Sequence, residues 1–207
     1  MDVGQVHWLG HASFRVDDKG KTIYIDPWKL PDNPPKADII LITHSHYDHF
    51  SVDDIAKVRT AKTVVVCTED VAEQLAGKVK IVAPGQTIDV EGVNVSTVAS
   101  YNLAKDFHPK SNRWVGYIVK LSDATTVYHA GDTDFTPEMR TVKADIALLP
   151  CGGTYTMDAK EAAQAANTFR PKLLIPMHFG DIVGSVKDAE AVKSLHTGDT
   201  LIKKPER

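Results

Sequence analysis

Ile39-Ile40-Leu41-Ile42-Thr43-His44-Ser45-His46-Tyr47-Asp48-His49-Phe50 carries an aliphatic run straight into three histidines and an aspartate. An unbroken run of this kind suits a strand buried on both faces, and such a strand ends where polar side chains can meet solvent. His44 and His46 are two residues apart, so if the backbone stays extended their imidazoles project to one side as a chelating pair. Asp48 and His49 follow as the chain turns, and Ser51-Val52-Asp53-Asp54 then reads as a helix start capped by Ser51. These candidates are therefore held between two rigid elements. Imidazole and carboxylate together suit zinc, manganese or iron, and the lack of a nearby cysteine favours an open catalytic site over a closed structural zinc.

The order Thr43-His44-Ser45-His46-Tyr47-Asp48-His49 after an aliphatic strand resembles the His-x-His-x-Asp-His signature of the metallo-β-lactamase superfamily. The resemblance implies an α/β fold, the four-layer αβ/βα sandwich, with two metal ions and further His, Asp and His ligands later in the chain. Trp8-Leu9-Gly10-His11-Ala12, followed by Ile25-Asp26-Pro27, is similar to the opening of the small stand-alone metal-dependent hydrolases of that superfamily, the branch of the L-ascorbate phosphate lactonase. On that likeness Gly10-His11 lies at the edge of the metal pocket and Asp26 holds a ligand histidine from behind. His11 reads equally well as a structural histidine in a strand bend.

At 207 residues, with 43% hydrophobic residues and no low-complexity tract, the chain is expected to form a single domain over 1–207. A net charge of −3 with dispersed Lys and Arg gives no basic stripe, so a nucleic-acid partner is not favoured. Cys67 and Cys151 each sit in or beside an apolar run and read as reduced buried thiols, which points to the cytoplasm. No apolar run reaches the ~20 residues that span a bilayer, so no membrane partner is expected. A small-molecule substrate is, and a homo-oligomer is left open.

Strands are expected at Val6–Leu9, Ala12–Val16 and Thr22–Ile25, then strand, helix, strand at Thr63–Val66, Glu69–Ala76 and Lys80–Ala83. Turns at Pro84-Gly85 and Glu91-Gly92 bound two antiparallel strands, Thr87–Val90 and Val93–Val98. The Pro-rich stretch 28–35 reads as a loop that could wall the site with Trp28. Residues 100–113 are polar and aperiodic and read as an active-site loop carrying His108. If the first metal needs a third nitrogen, His108 or His129 must supply it. Strand geometry favours His108, because His129 lies about 10 Å along the strand from Asp132 and faces the opposite side. The loop also resembles the Lys-x-Phe-His-Pro context of the stand-alone branch, and lacks the Thr-Pro-Gly-His context of other branches.

Asp132, after Gly131 at a strand end, has two oxygens that can bridge two cations, and the resemblance makes it the bridging ligand. Gly152-Gly153 could cradle an anion. Asp158 caps a helix over the following alanines, and the apolar stretch 173–177 delivers His178, the last ligand by resemblance. His196, near a helix end, is left out of the site.

The expected ligand sets are His44, His46 and His108 for one ion, Asp48, His49 and His178 for the other, and Asp132 between them. The expected reaction is hydrolysis by a metal-bound hydroxide at this binuclear site, with Asp48 orienting the nucleophile and moving its proton. The two cofactor ions are expected to be zinc, with manganese or iron as alternatives. Lys105, Lys110 and Arg113 on the His108 loop suggest a small phosphorylated lactone, ester or phosphodiester. A nuclease or cyclic-nucleotide phosphodiesterase is the alternative enzyme, and a metal-binding regulatory module without turnover is the alternative outside catalysis.

Overall fold

Short turns join the first strands, β1 (Val6–Gly10), β2 (Ser13–Asp18) and β3 (Lys21–Ile25), into an antiparallel meander. The sheet then continues in parallel through β4 (Ile39–Leu41), β5 (Val64–Cys67) and β6 (Val79–Ile81), in the spatial order β1-β2-β3-β4-β5-β6. Parallel neighbours need crossovers, and α1 (Val52–Val58) and α2 (Glu69–Ala72) supply two of them. The computed structural model describes residues 2–207.

The aliphatic run is explained by two cores that meet on one sheet. Ile23 and Ile25 of β3, Ile39 and Leu41 of β4, and Val64 and Val66 of β5 enter the large core of the molecule. Tyr24, Ile40, Val65 and Cys67 face the other way, against Ile55 and Val58 of α1 and Val71 of α2. Side chains alternate along a strand, so only a continuous apolar run can fill both.

A second sheet repeats the plan. Antiparallel β7 (Thr87–Val90), β8 (Val93–Ala99), β9 (Val115–Lys120) and β10 (Thr126–His129) lead into parallel β11 (Ile146–Pro150) and β12 (Leu173–Met177). Helix α3 (Ala159–Phe169) joins β11 to β12, α4 (Val186–Leu195) follows, and both pack through small residues such as Ala162, Ala166 and Ala189. The two sheets face each other between their helices, giving the expected α/β, four-layer αβ/βα sandwich. No helix among the described residues is long and apolar enough to cross a membrane.

Local expectations fare differently. Ser51 caps α1 by accepting from the Asp54 amide, and Asp158 caps α3 by accepting from the Glu161 amide. Helix α2, expected to reach Ala76, ends at Ala72, because Gln74 and Leu75 donate to carbonyls only three residues back. Asp54 does more than begin a helix. Its carboxylate accepts from the Lys29 and Leu30 amides at 2.8 and 3.1 Å, pinning the Pro-rich loop.

Strands β3, β4, β10 and β12 end on the same side of the sandwich, and beyond them come Asp26, His44, Asp132 and His178. Such carboxyl ends are where open α/β sheets leave a crevice. The two sheets are stitched there by Tyr117 of β9, whose hydroxyl lies 2.8 Å from the Ile42 carbonyl and 3.2 Å from that of Val66.

Candidate metal centre

Beyond β4 the chain folds back in a tight turn, with His49 and Phe50 amides donating to the His46 carbonyl. His44, His46, Asp48 and His49 thereby face one hollow. The His108 loop enters from β8, Asp132 from β10 and His178 from β12. The donor atoms form overlapping groups, His44 with His46 and His108, His44 with His49 and Asp132, and His11 with Asp48, His49 and His178. Within each group they lie within 4.8 Å of one another. Asp132 touches both sides: its Oδ1 is 3.2 Å from His49 Nε2, and its Oδ2 is 3.3 Å from His108 Nε2 and 3.0 Å from His178 Nε2.

The hydrogen bonds behind the rings decide which nitrogen each presents. The Thr43 hydroxyl donates to Asp26 Oδ2 at 2.7 Å, so it must accept from His44 Nδ1 at 2.9 Å. That leaves the lone pair of His44 on Nε2. Asp26 Oδ2 also accepts from His49 Nδ1 at 2.7 Å, and Asn102 Oδ1 takes His108 Nδ1 at 2.9 Å. Each ring is tied on its outer nitrogen, the carboxylate or amide arrangement that orients a metal-binding imidazole.

The inner atoms face one another and Asp132 without forming hydrogen bonds. His49 Nε2, His108 Nε2, His178 Nε2 and Asp132 Oδ1 are buried and have no hydrogen-bond partner. Buried polar groups are normally satisfied, so four orphans around one hollow are a donor set awaiting a cation. Charge agrees with this. Burial lowers the His44 imidazole well below its ordinary pKa and keeps it neutral, as coordination requires. His49 is pulled up against its burial by Asp132 and Asp26, so a proton sits where a cation would satisfy both carboxylates. Asp48 is raised by burial, yet the hydrogen bond from His11 and the charge of His49 bring it down to about 2.

His11 lies deeper than the pocket edge where it was expected. It is fully buried in the left-handed region (φ 51°), its Nε2 is 2.9 Å from Asp48 Oδ2, and its ring packs 3.9 Å from that of His178. The sequence signals for it were the Gly10-His11 break in the strand pattern and the resemblance of the Trp8–Ala12 stretch. His129 has both nitrogens occupied by backbone: Nδ1 accepts from Gly131 at 3.1 Å and Nε2 meets the Ala12 carbonyl at 2.8 Å. No lone pair remains for an ion. His196 bonds Thr200, away from the site.

Gly152-Gly153 does not form an anion cradle. A Cβ on Gly152 would lie 2.3 Å from the His178 carbonyl, so the glycine is there to let the His178 backbone approach. The three loop cations also lie elsewhere than expected. Lys105 is held by Asp134 at 2.5 Å and Lys110 by Glu138 at 2.8 Å, and Lys110 and Arg113 line a separate groove along β8 and β9. Neutralised or turned away, they give the metal pocket no phosphate clamp.

That pocket holds about 240 Å³ and is lined by His46, Asp48, His108, Asp132 and His178 at its base. Its remaining walls are Tyr47, Phe107, Tyr155 and Ile182. Trp114, for which no local sequence signal pointed to the site, packs its ring within 4.8 to 5.6 Å of those of His44, His46 and His108, its Nε1 fixed by Asp70. Trp28 lies beside His11 and Tyr47 and so does reach the site.

The family model of the β-lactamase superfamily domain matches residues 5–178. The chain is 37% identical over 225 residues to a UPF0173 metal-dependent hydrolase of Koribacter versatilis, covering 97% of this chain and 95% of that one. It is 36% identical to a UPF0173 metal-dependent hydrolase of Hyperthermus butylicus, covering 92% and 90%. A solved structure from Parabacteroides distasonis is similar at a TM-score of 0.86 and 34% identity, over 96% of this chain and 91% of that one.

Proposed function

The chain belongs to the β-lactamase superfamily and is a metal-dependent hydrolase of its UPF0173 group, and from this premise we propose a binuclear site that hydrolyses a small ester or lactone. The observation that carries the reading is the set of buried donor atoms without hydrogen-bond partners, divided between two sides of Asp132. His44, His46 and His108 would hold one ion, and Asp48, His49 and His178 the other. Asp132 is in contact with both sets, its Oδ2 near His108 and His178 and its Oδ1 near His49, and would be the residue shared between the ions. The donors are nitrogen and oxygen with no thiolate, and zinc is the identity we propose for both ions.

Two divalent cations, when bound, would supply Lewis acidity that polarises the carbonyl oxygen and would lower the pKa of a water. The chain's own residues set the geometry. Asp26 and Asn102 fix the rings of His49 and His108, and Thr43 fixes that of His44. Asp48, ionised and held by His11, orients the attacking water and carries its proton toward the leaving group. In the reaction the water oxygen bonds to the acyl carbon, the acyl C–O bond breaks, and one proton goes to the departing alkoxide. Trp114 and Trp28 exclude bulk water from two sides.

The test is elemental analysis together with turnover. The purified protein should approach two divalent ions per chain and hydrolyse simple esters or lactones, with chelation abolishing turnover and zinc restoring it. A protein that never exceeds one ion removes the binuclear part. A metal-replete protein inert toward esters, lactones and phosphodiesters removes the catalytic part.

A further inference from the structure

The walls of the metal pocket identify what the substrate carries beside its scissile bond. Tyr47 and Phe107 are the exposed aromatic side chains among the described residues, at 67% and 46%, and both line this one pocket with Ile182, itself 38% exposed. Scattered exposed apolar residues need no explanation, but a cluster converging on a reactive centre marks a binding surface. The cluster is also built. Phe107 meets Tyr155 edge to face, with ring centroids 4.8 Å apart, and the Tyr155 carbonyl accepts from Asn102, the residue that also orients His108. Tyr47 rests edge-on against Trp28.

Charge around the mouth points the same way. No Lys or Arg lines the pocket. Lys105 is paired with Asp134, and Lys29 and Arg207 share Asp181, so these cations are turned to carboxylates outside the pocket lining. A phosphate or carboxylate remote from the reacting bond would find only the uncharged walls of Tyr47, Phe107, Tyr155 and Ile182. At about 240 Å³ the space falls below the ~300–1,000 Å³ of pockets that enclose drug-sized ligands, so the group must also be small.

We propose that the substrate is a small uncharged ester or lactone whose acyl side bears an aromatic or branched aliphatic group, seated among Tyr47, Phe107, Tyr155 and Ile182. The inference rests on the hydrolase reading but specifies a different property, recognition, and can fail separately from it. Phe107 and Tyr155 are then specificity residues.

The test uses 4-phenyl-2-butanone, a neutral ketone with the shape of such an ester that hydrolysis cannot consume, and butanone, which lacks the ring. Binding is measured by ligand-observed NMR titration on the full chain, both as purified and after chelation. The ring-bearing ketone should bind at least about tenfold more tightly than butanone in both states, since ring burial is independent of the ions. Phe107→Ala and Tyr155→Ala should each weaken it about tenfold, Phe107→Trp should retain it, and far-UV circular dichroism should show all three folded. In the chelated protein, the analogue with a phosphonate in place of the ring should bind more weakly than the ring ketone. Equal binding of the two ketones, tighter binding of the phosphonate, or indifference to Phe107→Ala would each overturn the proposal. Because binding is read without turnover, loss of the hydrolase reading would appear in the metal and turnover measurements and leave this result standing.

Discussion

Replacing Asp26 by Asn should disable one metal position without touching any atom that would contact the ion. Asp26 is fully buried and sits in the left-handed region at φ 47°, which Asn tolerates about as well as Asp, so the backbone has no reason to move. Its Oδ1 accepts from the Thr43 amide at 2.8 Å, a bond that an asparagine oxygen keeps. On the other side the change is one of sign. Oδ2 accepts from both the Thr43 hydroxyl and His49 Nδ1 at 2.7 Å, and an amide NH₂ there can only donate. His49 must then carry its proton on Nε2, the nitrogen that faces Asp132, and its lone pair leaves the hollow. Loss of such a supporting partner typically weakens metal binding 10- to 100-fold, about 1.4–2.8 kcal/mol. The fold should lose ~2 kcal/mol as well, because a charge-assisted bond is broken in the interior. Competition against a chromophoric chelator reads the two affinities, and circular dichroism melts in excess chelator read the second effect alone. The His49 position should weaken while the His44, His46 and His108 position holds. Wild-type affinity at both positions in Asp26→Asn would refute the tautomer argument.

His108→Ala should deplete the ion held with His44 and His46, whereas His129→Ala should keep both ions and lower stability by about 3 kcal/mol, since it strands the Ala12 carbonyl and Gly131 amide and leaves a void. Elemental analysis beside thermal melts separates the two, and metal loss confined to His129→Ala would reverse the assignment. Asp132→Asn should weaken both positions together in the same competition assay; loss of one ion only would make Asp132 a terminal ligand. Burial raises the thiols of Cys67 and Cys151 to about 12. The unfolded chain ionises its thiols near 8.5, so it holds fewer protons than the native state at high pH, and the two groups contribute stability that is lost as pH rises from ~8.5 toward 12. Iodoacetamide at pH 8 should leave both thiols intact in the native protein and modify both in guanidinium.

Residues whose role is set by local pattern were legible before any coordinates. The Ile39–Ile42 run announced a strand buried on both faces, and the spacing of His44, His46, Asp48 and His49 announced a cluster of donor groups, because both depend only on neighbours in the chain. Asp26 and His178 were legible through resemblance. What stayed hidden depends on long-range contact: the approach that makes Gly152 necessary, the carboxylates that neutralise Lys105 and Lys110, and the Trp114 ring against three histidines. His11 shows the boundary best. A strand break was visible in sequence, but its partner Asp48 lies 37 positions away, and the irregular register between Trp8 and Gly10 at the end of β1 precedes the bend that carries His11.

The donors that would grip the ions are split between the two sheets, four of them after β4 and the remainder after β8, β10 and β12. Neither half of the chain can therefore chelate with full strength by itself. An ion bound here acts as a clasp across the sandwich and registers that both halves have folded and docked. During synthesis His44 to His49 emerge early and His178 late, so tight metal retention should mark the final step of maturation, and a chain stalled before β12 should release its ions to any competing chelator.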